Sequence, residues 1–276
     1  MIRRYLVERV RDRFNDRAAG QQPIQRSDNA LLPPDSVAWR VHGDVTTMMV
    51  GGIAALLVEM LHPLALGGVW DHSKVASDQL GRLRMTARFI AITTYGERDL
   101  AEAAIERVRM VHEHVVGTLP DGRAYRADDP HLLNWIHVAG SIHFLDAWRR
   151  FGEPRMTMAD QDRYFAEVAG IAEALGATEV PNSRSAAEAF VAAVRPELQT
   201  DDRTRQFRDL VLKAPAARKS EAPVQALVMA AAVDLMPAWA RAMHGLRRPP
   251  LSTPAVRLAT LGTARTLRWA FGGGPR

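Results

Sequence analysis

The chain has 276 residues, of which 47% are hydrophobic, and a formal net charge of +5. A chain of this length can bury a sizeable core as one large domain or two small ones, and its composition is not that of a disordered protein. Cysteine is absent, which excludes disulfides, thiolate chemistry and cysteine ligands to a metal or haem.

Helices are predicted along the whole chain, because Ala, Leu, Arg, Glu and Met are abundant and alternating Val/Ile patterns are scarce. We therefore predict an all-α fold, a single large helical bundle. Residues 1–38 are expected to form an N-terminal helix and an arm, and residues 39–276 the helical domain. The first helix is charged and lacks the apolar run of a secretory signal, so a cytoplasmic location is expected.

The most apolar stretch runs over residues 44–70. Glu59, His62 and Pro63 lie inside it, which favours a buried core helix that ends near His62 and Pro63 over a membrane-spanning helix. Glu59 and His62 share a helical face, and Asp71 with His72 forms a second polar pair. Each pair is either a satisfied polar contact in the core or part of a functional site.

The next helix is predicted over residues 81–95. Arg82 and Thr86 project from one face of it and suit an anionic or polar group that lies alongside. Gly96 ends this helix, and another follows from Glu97 to Gly117. Because the two helices are closely joined, we expect them to pack as a hairpin.

His112 lies at the centre of the apolar face of the second of these helices. At roughly 100° of rotation per residue, six apolar side chains fall within about 60° of His112 on the helical wheel: Ala101, Ile105, Val108, Val115, Val116 and Leu119. His114 points to the opposite, charged side. We therefore predict that His112 faces the core, either hydrogen-bonded to backbone or as a ligand, and that His114 faces solvent.

A further helix is predicted to begin with Asp129 as N-cap and Pro130 at the first helical position. Two of its histidines, His137 and His143, lie about 120° apart around the helix and do not share a face. No His-x-x-x-His zinc signature occurs in the chain, so a mononuclear zinc site is not predicted.

Beyond Glu153 the sequence predicts ordinary amphipathic helices that begin at Asp160, Ser185 and near Asp201. An apolar helix over residues 223–244 follows, which Pro237 should kink or end.

The positive charge is concentrated in the C-terminal segment, where seven arginines and no acidic residue follow Asp234. This segment is either a solvated arginine-rich face or a contact with an anionic membrane surface. Nucleotide-binding and serine-hydrolase motifs are absent, and no nucleic-acid partner is expected.

Five segments between about Trp39 and Trp148 carry a family resemblance. In chain order they are GGIAALLVEMLHP (51–63), GVWDHS (68–73), GRLRMTARF (81–89), AAIERVRMVHEHVVGTL (103–119) and YRADDPHLLNWIH (125–137). Together they resemble the MpaB/rubber oxygenase catalytic-domain family, which includes latex clearing protein. Each segment alone is a weak signal, but five in the family's order are specific.

The resemblance implies an α-helical, globin-like core that holds a b-type haem through a histidine. The family's V-R-x-x-H segment matches Val108, Arg109 and His112, which implies that His112 is the proximal ligand of the haem iron. An Arg-x-x-x-Thr pair at the haem site of the family matches Arg82 and Thr86.

The distal side of the haem is less defined by the resemblance. Met85 stands where latex clearing protein has a lysine that occupies that side. The polar candidates for the distal, catalytic side are Glu59, His62, Asp71 and His72, and His137 is a further candidate for contact with the cofactor.

Two functions follow from these expectations. The first is a haem-b-dependent oxygenase that acts with dioxygen on an apolar, isoprenoid or lipid-like substrate. The alternative is a non-enzymatic helical haem- or lipid-binding protein, held at the membrane periphery by its basic tail. A family member without a cofactor is a third option, and the oligomeric state is left open.

Overall fold

The computed structural model describes residues 21–73, 79–216, 218–247, 258–262 and 264–266, and for residues 79–83 it describes the backbone alone. The predicted helix over residues 1–17 lies outside the described residues. So do four arginines of the C-terminal segment: Arg248, Arg257, Arg268 and Arg276.

Helices dominate the described chain and confirm the all-α prediction. In chain order they are α1 (Val37–His42), α2 (Val45–Glu59), α3 (Pro63–His72), α4 (Gln79–Tyr95), α5 (Arg98–His114), α6 (Pro130–Phe151), α7 (Met158–Leu175), α8 (Arg184–Val194), α9 (Asp202–Leu212), α10 (Ala222–Leu235) and α11 (Ala238–Met243). Short 3₁₀ turns cover Arg195–Glu197 and Lys219–Glu221. Two antiparallel strands, β1 (Val116–Thr118) and β2 (Ala124–Arg126), connect α5 to α6.

The pair α2 and α6 forms the centre of the fold. Gly51 of α2 permits their close approach, since a Cβ at that position would lie 2.7 Å from the carbonyl oxygen of His143. α10 also packs against α2. One core cluster joins buried side chains of α2, α6, α9 and α10, among them Leu57, Trp135, Phe207 and Val228. The helices before and after Glu153 therefore share a core.

α2 behaves as the buried helix that the sequence predicts. Asp44 caps it by accepting a hydrogen bond from the Thr47 amide at 2.8 Å, and Pro63 begins α3. Within the described ranges no single helix is long and apolar enough to cross a membrane, whereas α2 and α3 taken together pass that test but are bent by 106°.

α4 and α5 pack against each other across the short joint at Gly96, as expected. The arm that precedes α1 crosses this joint, because Ser27 donates from its amide to the Tyr95 carbonyl at 2.9 Å. Residues 37 and 38, predicted as part of the arm, already belong to α1, because the Ser36 side chain caps the helix there.

α5 ends at His114, three residues before the predicted end at Gly117. The chain then forms the β1–β2 hairpin, which was not predicted, and Gly122 turns it with φ of +89°. Val115, Val116 and Leu119 therefore do not extend the apolar face of the helix. His112 lies in its last turn.

The later helices begin close to the predicted positions, but with different caps. Thr157 caps α7, three residues before Asp160, and Ser183 caps α8 in place of Ser185. Asp201 caps α9 with a capping box. Pro237 separates α10 from α11, as predicted.

Candidate functional site

His112 is half-buried in the last turn of α5, and its Nδ1 is inaccessible to solvent. On the same face of the helix Ala101 and Ile105 are fully in the core. The hydrogen bond from Arg126 lowers the pKa of the Asp128 carboxyl, and the charge of a protonated His112 lowers it further. His112 is therefore close to the segment between β2 and α6.

The neighbours of His112 on α5 make hydrogen bonds and salt bridges at the surface of the protein. His114 is exposed, and its Nδ1 donates to the carbonyl oxygen of Met110 at 2.8 Å. Arg109 binds the carboxylates of Glu106 and Glu113 at 2.8 and 3.0 Å. His114 is exposed as predicted, whereas His112, which was predicted to face the core, is only half-buried.

Large apolar side chains are exposed on α4 and α5. Met85 is 64% exposed, Met110 48% and Val111 56%. Thr86 is also exposed, and the side chain of Arg82 lies outside the described residues. Exposed apolar residues on a protein surface are candidates for contact with a ligand or a partner.

His137 of α6 carries a buried Nε2 that has no hydrogen-bond partner among the residues that the structure describes. Burial lowers the pKa of its imidazole to about 4, so the ring is neutral at neutral pH. A buried polar atom without a partner costs about 1–3 kcal/mol. A bound ligand that hydrogen-bonds or coordinates Nε2 would remove this cost.

A buried hydrogen-bond network lies close to His137. The ring of His42 in α1 meets the Thr94 hydroxyl at 2.8 Å through Nδ1 and the Tyr164 hydroxyl at 3.0 Å through Nε2. Burial, and secondly the proximity of His137, lower the pKa of His42 to about 3. Tyr164 is also hydrogen-bonded to Ser141, which lies one turn after His137 on α6. The network therefore connects α1, α4, α6 and α7 close to His137.

The Glu59 carboxylate lies beside the same part of α6. Its Oε1 is 3.7 Å from the position that a Cβ at residue 140 would take, and the Phe144 ring is equally near to that position. Gly140 follows His137 by three residues, so the Glu59 carboxylate lies along the segment of α6 that carries His137.

His62 is buried, and its Nε2 lies 3.2 Å from the Glu197 carboxylate. The same carboxylate lies 3.1 Å from Nε2 of His131. Burial lowers the pKa of His62, while the hydrogen bond to Glu197 acts in the opposite direction. His62 therefore belongs to a group of its own with His131 and Glu197.

Asp71 and His72 hold the end of α3 to neighbouring segments. Asp71 accepts hydrogen bonds from the Tyr125 hydroxyl at 2.9 Å and from Arg203 at 3.4 Å. His72 donates through Nε2 to the Val116 carbonyl at 3.0 Å. The four distal candidates thus do not form one cluster, and their catalytic role stays a prediction.

Sequence reasoning missed His42, Tyr164 and Glu197. His42 and Tyr164 are separated by 122 residues, and His62 and Glu197 by 135. No local spacing reveals contacts between positions so far apart. The chain topology alone brings them together.

The chain matches one family model over residues 39–269, described as ER-bound oxygenase mpaB/B′/rubber oxygenase, catalytic domain. No curated protein and no solved structure matches it at a significant level. The matched span includes His112, His137 and the four distal candidates. Since it covers most of the chain, the protein belongs to the mpaB/rubber oxygenase catalytic-domain family.

Proposed function

We propose that this protein is a haem-b-dependent oxygenase that acts with dioxygen on an apolar small molecule, an isoprenoid or another lipid. Membership of a family of oxygenase catalytic domains supports the reaction class and a small-molecule substrate. The haem and the apolar character of the substrate are inferred from the side chains around His112 and His137.

The observation that carries the proposal is a half-buried histidine in a helix pair that also carries exposed apolar side chains. A haem requires a histidine ring nitrogen for its iron and apolar surface for its macrocycle. His112 offers the first, and the exposed Met85 of α4 and Val111 of α5 are candidates for the second. The residues present therefore fit a haem, with His112 as its proximal ligand.

The backbone position of Arg82 on α4 is consistent with a role beside the proposed haem. α4 and α5 pack against each other and are joined at Gly96. Arg82 and His112 are at similar distances from this joint along their helices. An arginine at that level is suited to a haem propionate, because its guanidinium pairs with carboxylates.

Haem iron, when bound, supplies the activation of dioxygen. The chain supplies polar groups on α2 and α6. The Nε2 of His137, neutral at neutral pH, can hydrogen-bond an oxygen atom of a ligand. The Glu59 carboxylate, beside the same segment of α6, can accept a proton from the substrate. Both roles are part of the proposal.

Oxygen uptake by the reduced, haem-loaded protein tests the proposed activity. With polyprenes or unsaturated fatty acids we expect substrate-dependent uptake and an oxygenated product. Glu59→Gln should lower the rate at least tenfold with haem content unchanged, since general-base catalysis contributes about 10²–10⁴-fold. Bound haem without substrate-dependent uptake over the whole panel would contradict an oxygenase and support a non-enzymatic haem- or lipid-binding protein.

A further inference from the structure

Three side chains with metal-binding atoms meet at a place separate from His112. His62 lies between α2 and α3, His131 in the first turn of α6, and Glu197 in the 3₁₀ turn after α8. One ligand atom from each lies within 4.8 Å of the others. We propose that these residues bind a divalent transition-metal ion of the zinc class.

The spacing of the three ligand atoms suits a tetrahedral ion. Glu197 Oε2 is 3.2 Å from Nε2 of His62 and 3.1 Å from Nε2 of His131. Ligand atoms bound to zinc at about 2.0–2.1 Å in tetrahedral geometry are roughly 3.3 Å apart. An ion could therefore take its place among these atoms with small movements of the two exposed side chains.

The chemistry of the donors also favours this class of ion. Two imidazole nitrogens and one carboxylate oxygen form a common three-ligand set for zinc, with a fourth position left for water or another ligand. Calcium and magnesium prefer oxygen ligands throughout. The group is therefore better suited to zinc than to a hard cation.

The burial of the three residues differs in a way that favours binding. His62 is 2% exposed and packs against Trp135, with ring centroids 6.2 Å apart, so its orientation is fixed before an ion arrives. His131 and Glu197 are exposed and provide a route from solvent. The Arg123 guanidinium nearby is paired with Asp121 at 2.6 Å.

This group uses none of the residues to which the proposed function gives a role. His131 and His137 are six residues apart on α6, which places them about 120° apart around the helix and about 9 Å apart along it. A metal ion here would join the starts of α3 and α6 to the turn after α8, three segments that are distant in sequence. Its expected role is to stabilise this junction, and the site goes beyond the proposed oxygenase activity.

Calorimetric titration of untagged, chelator-treated protein with zinc chloride tests the site. We expect one zinc equivalent in the wild type. His131→Ala and Glu197→Gln should each weaken binding at least tenfold, because each removes one of three ligands. These exposed residues are preferable to the buried His62, whose replacement could prevent folding.

His114→Ala, which replaces an exposed histidine outside both proposed sites, serves as the control and should bind zinc as the wild type does. Zinc should also raise the thermal midpoint of the wild type, and raise that of His131→Ala by clearly less at the same zinc concentration. Equal zinc affinity in His131→Ala and wild type, or no binding by the wild type, would overturn the site. Neither result affects the haem spectrum, so the two proposals fail independently.

Discussion

At the scale of single residues, His42 and His137 have strongly lowered pKa values. Burial lowers the pKa of His137 to about 4, and burial together with His137 lowers that of His42 to about 3, from the usual 6.5. Protonation of either of these two partly buried imidazoles is therefore unfavourable in the folded protein. The free energy of unfolding therefore depends on pH.

The sign of that dependence follows from proton binding. Between pH 6.5 and about 3 an unfolded chain binds a proton at His42 and the folded chain does not. The free energy of unfolding therefore falls as pH falls below 6.5, by up to ~1.4 kcal/mol per pH unit for each such histidine. Above pH 6.5 these residues contribute no pH dependence.

Replacement of His42 should reduce this slope. In His42→Gln we expect a free energy of unfolding that falls less steeply between pH 6.5 and 4.5 than in the wild type, by about 1 kcal/mol per pH unit. Urea unfolding at a series of pH values measures it. The exposed His114→Gln should keep the wild-type slope, and an unchanged slope in His42→Gln would contradict the buried, neutral state.

At the scale of elements, the contact between α2 and α6 depends on two adjacent glycines in different surroundings. A Cβ at Gly51 would lie 2.7 Å from the backbone carbonyl of His143, whereas at Gly52 it would meet the edge of the Phe144 ring at 3.4 Å. The backbone of a central helix cannot move aside, whereas the ring of a side chain can rotate. Only the first glycine is required for the approach of the two helices.

The pair provides an internally controlled test. Alanine favours the helix over glycine by up to about 1 kcal/mol, so by helix propensity alone both Gly51→Ala and Gly52→Ala should stabilise the protein. Gly51→Ala should nevertheless destabilise the protein by about 1–3 kcal/mol relative to Gly52→Ala, because overpacking forces backbone shifts. Denaturant unfolding of the two variants measures the difference, and equal stability would show that α2 and α6 are less tightly packed.

The elements also show what could be predicted from sequence. Caps and breakers such as Asp129, Pro130 and Pro237 act within one turn, and the helices that they bound were predicted. The β1–β2 hairpin was missed, although the Asp121–Gly122 pair is a known turn signal. The predicted helix continued to Gly117 and so overlapped the first strand, which begins at Val116.

The candidate site could be predicted only in part for a related reason. His112 stands out in the sequence by its position on an apolar helix face, and its role as a ligand stays a prediction. The network of His42 with Tyr164 and the group of His62 with Glu197 are formed by residues more than 100 positions apart. Helical periodicity carries no information about such contacts.

At the scale of the whole molecule, the helices before and after Glu153 share a core. Trp135 of α6 and Phe207 of α9 belong to the same buried cluster as Val228 of α10, and all three are at most 3% exposed. No part of that cluster can lose its packing without exposing the rest. We therefore expect the described helices to unfold together.

Phe207→Leu tests this expectation from the C-terminal half. It should lower the free energy of unfolding by about 0.5–3 kcal/mol, within the usual range for core substitutions. Tryptophan fluorescence and far-UV circular dichroism should shift together in a single transition. The exposed Val224→Ala should change stability by less than about 0.5 kcal/mol. Two separated transitions in Phe207→Leu would indicate two independent domains.

The central claim, that His112 is the proximal ligand of a haem iron, is tested most directly by the absorption spectrum. Protein expressed with haem supplementation should show a Soret band that His112→Ala loses or strongly alters. His114→Ala, two residues away and exposed, should keep the wild-type band. A colourless wild-type protein, or an unchanged Soret band in His112→Ala, would contradict the assignment.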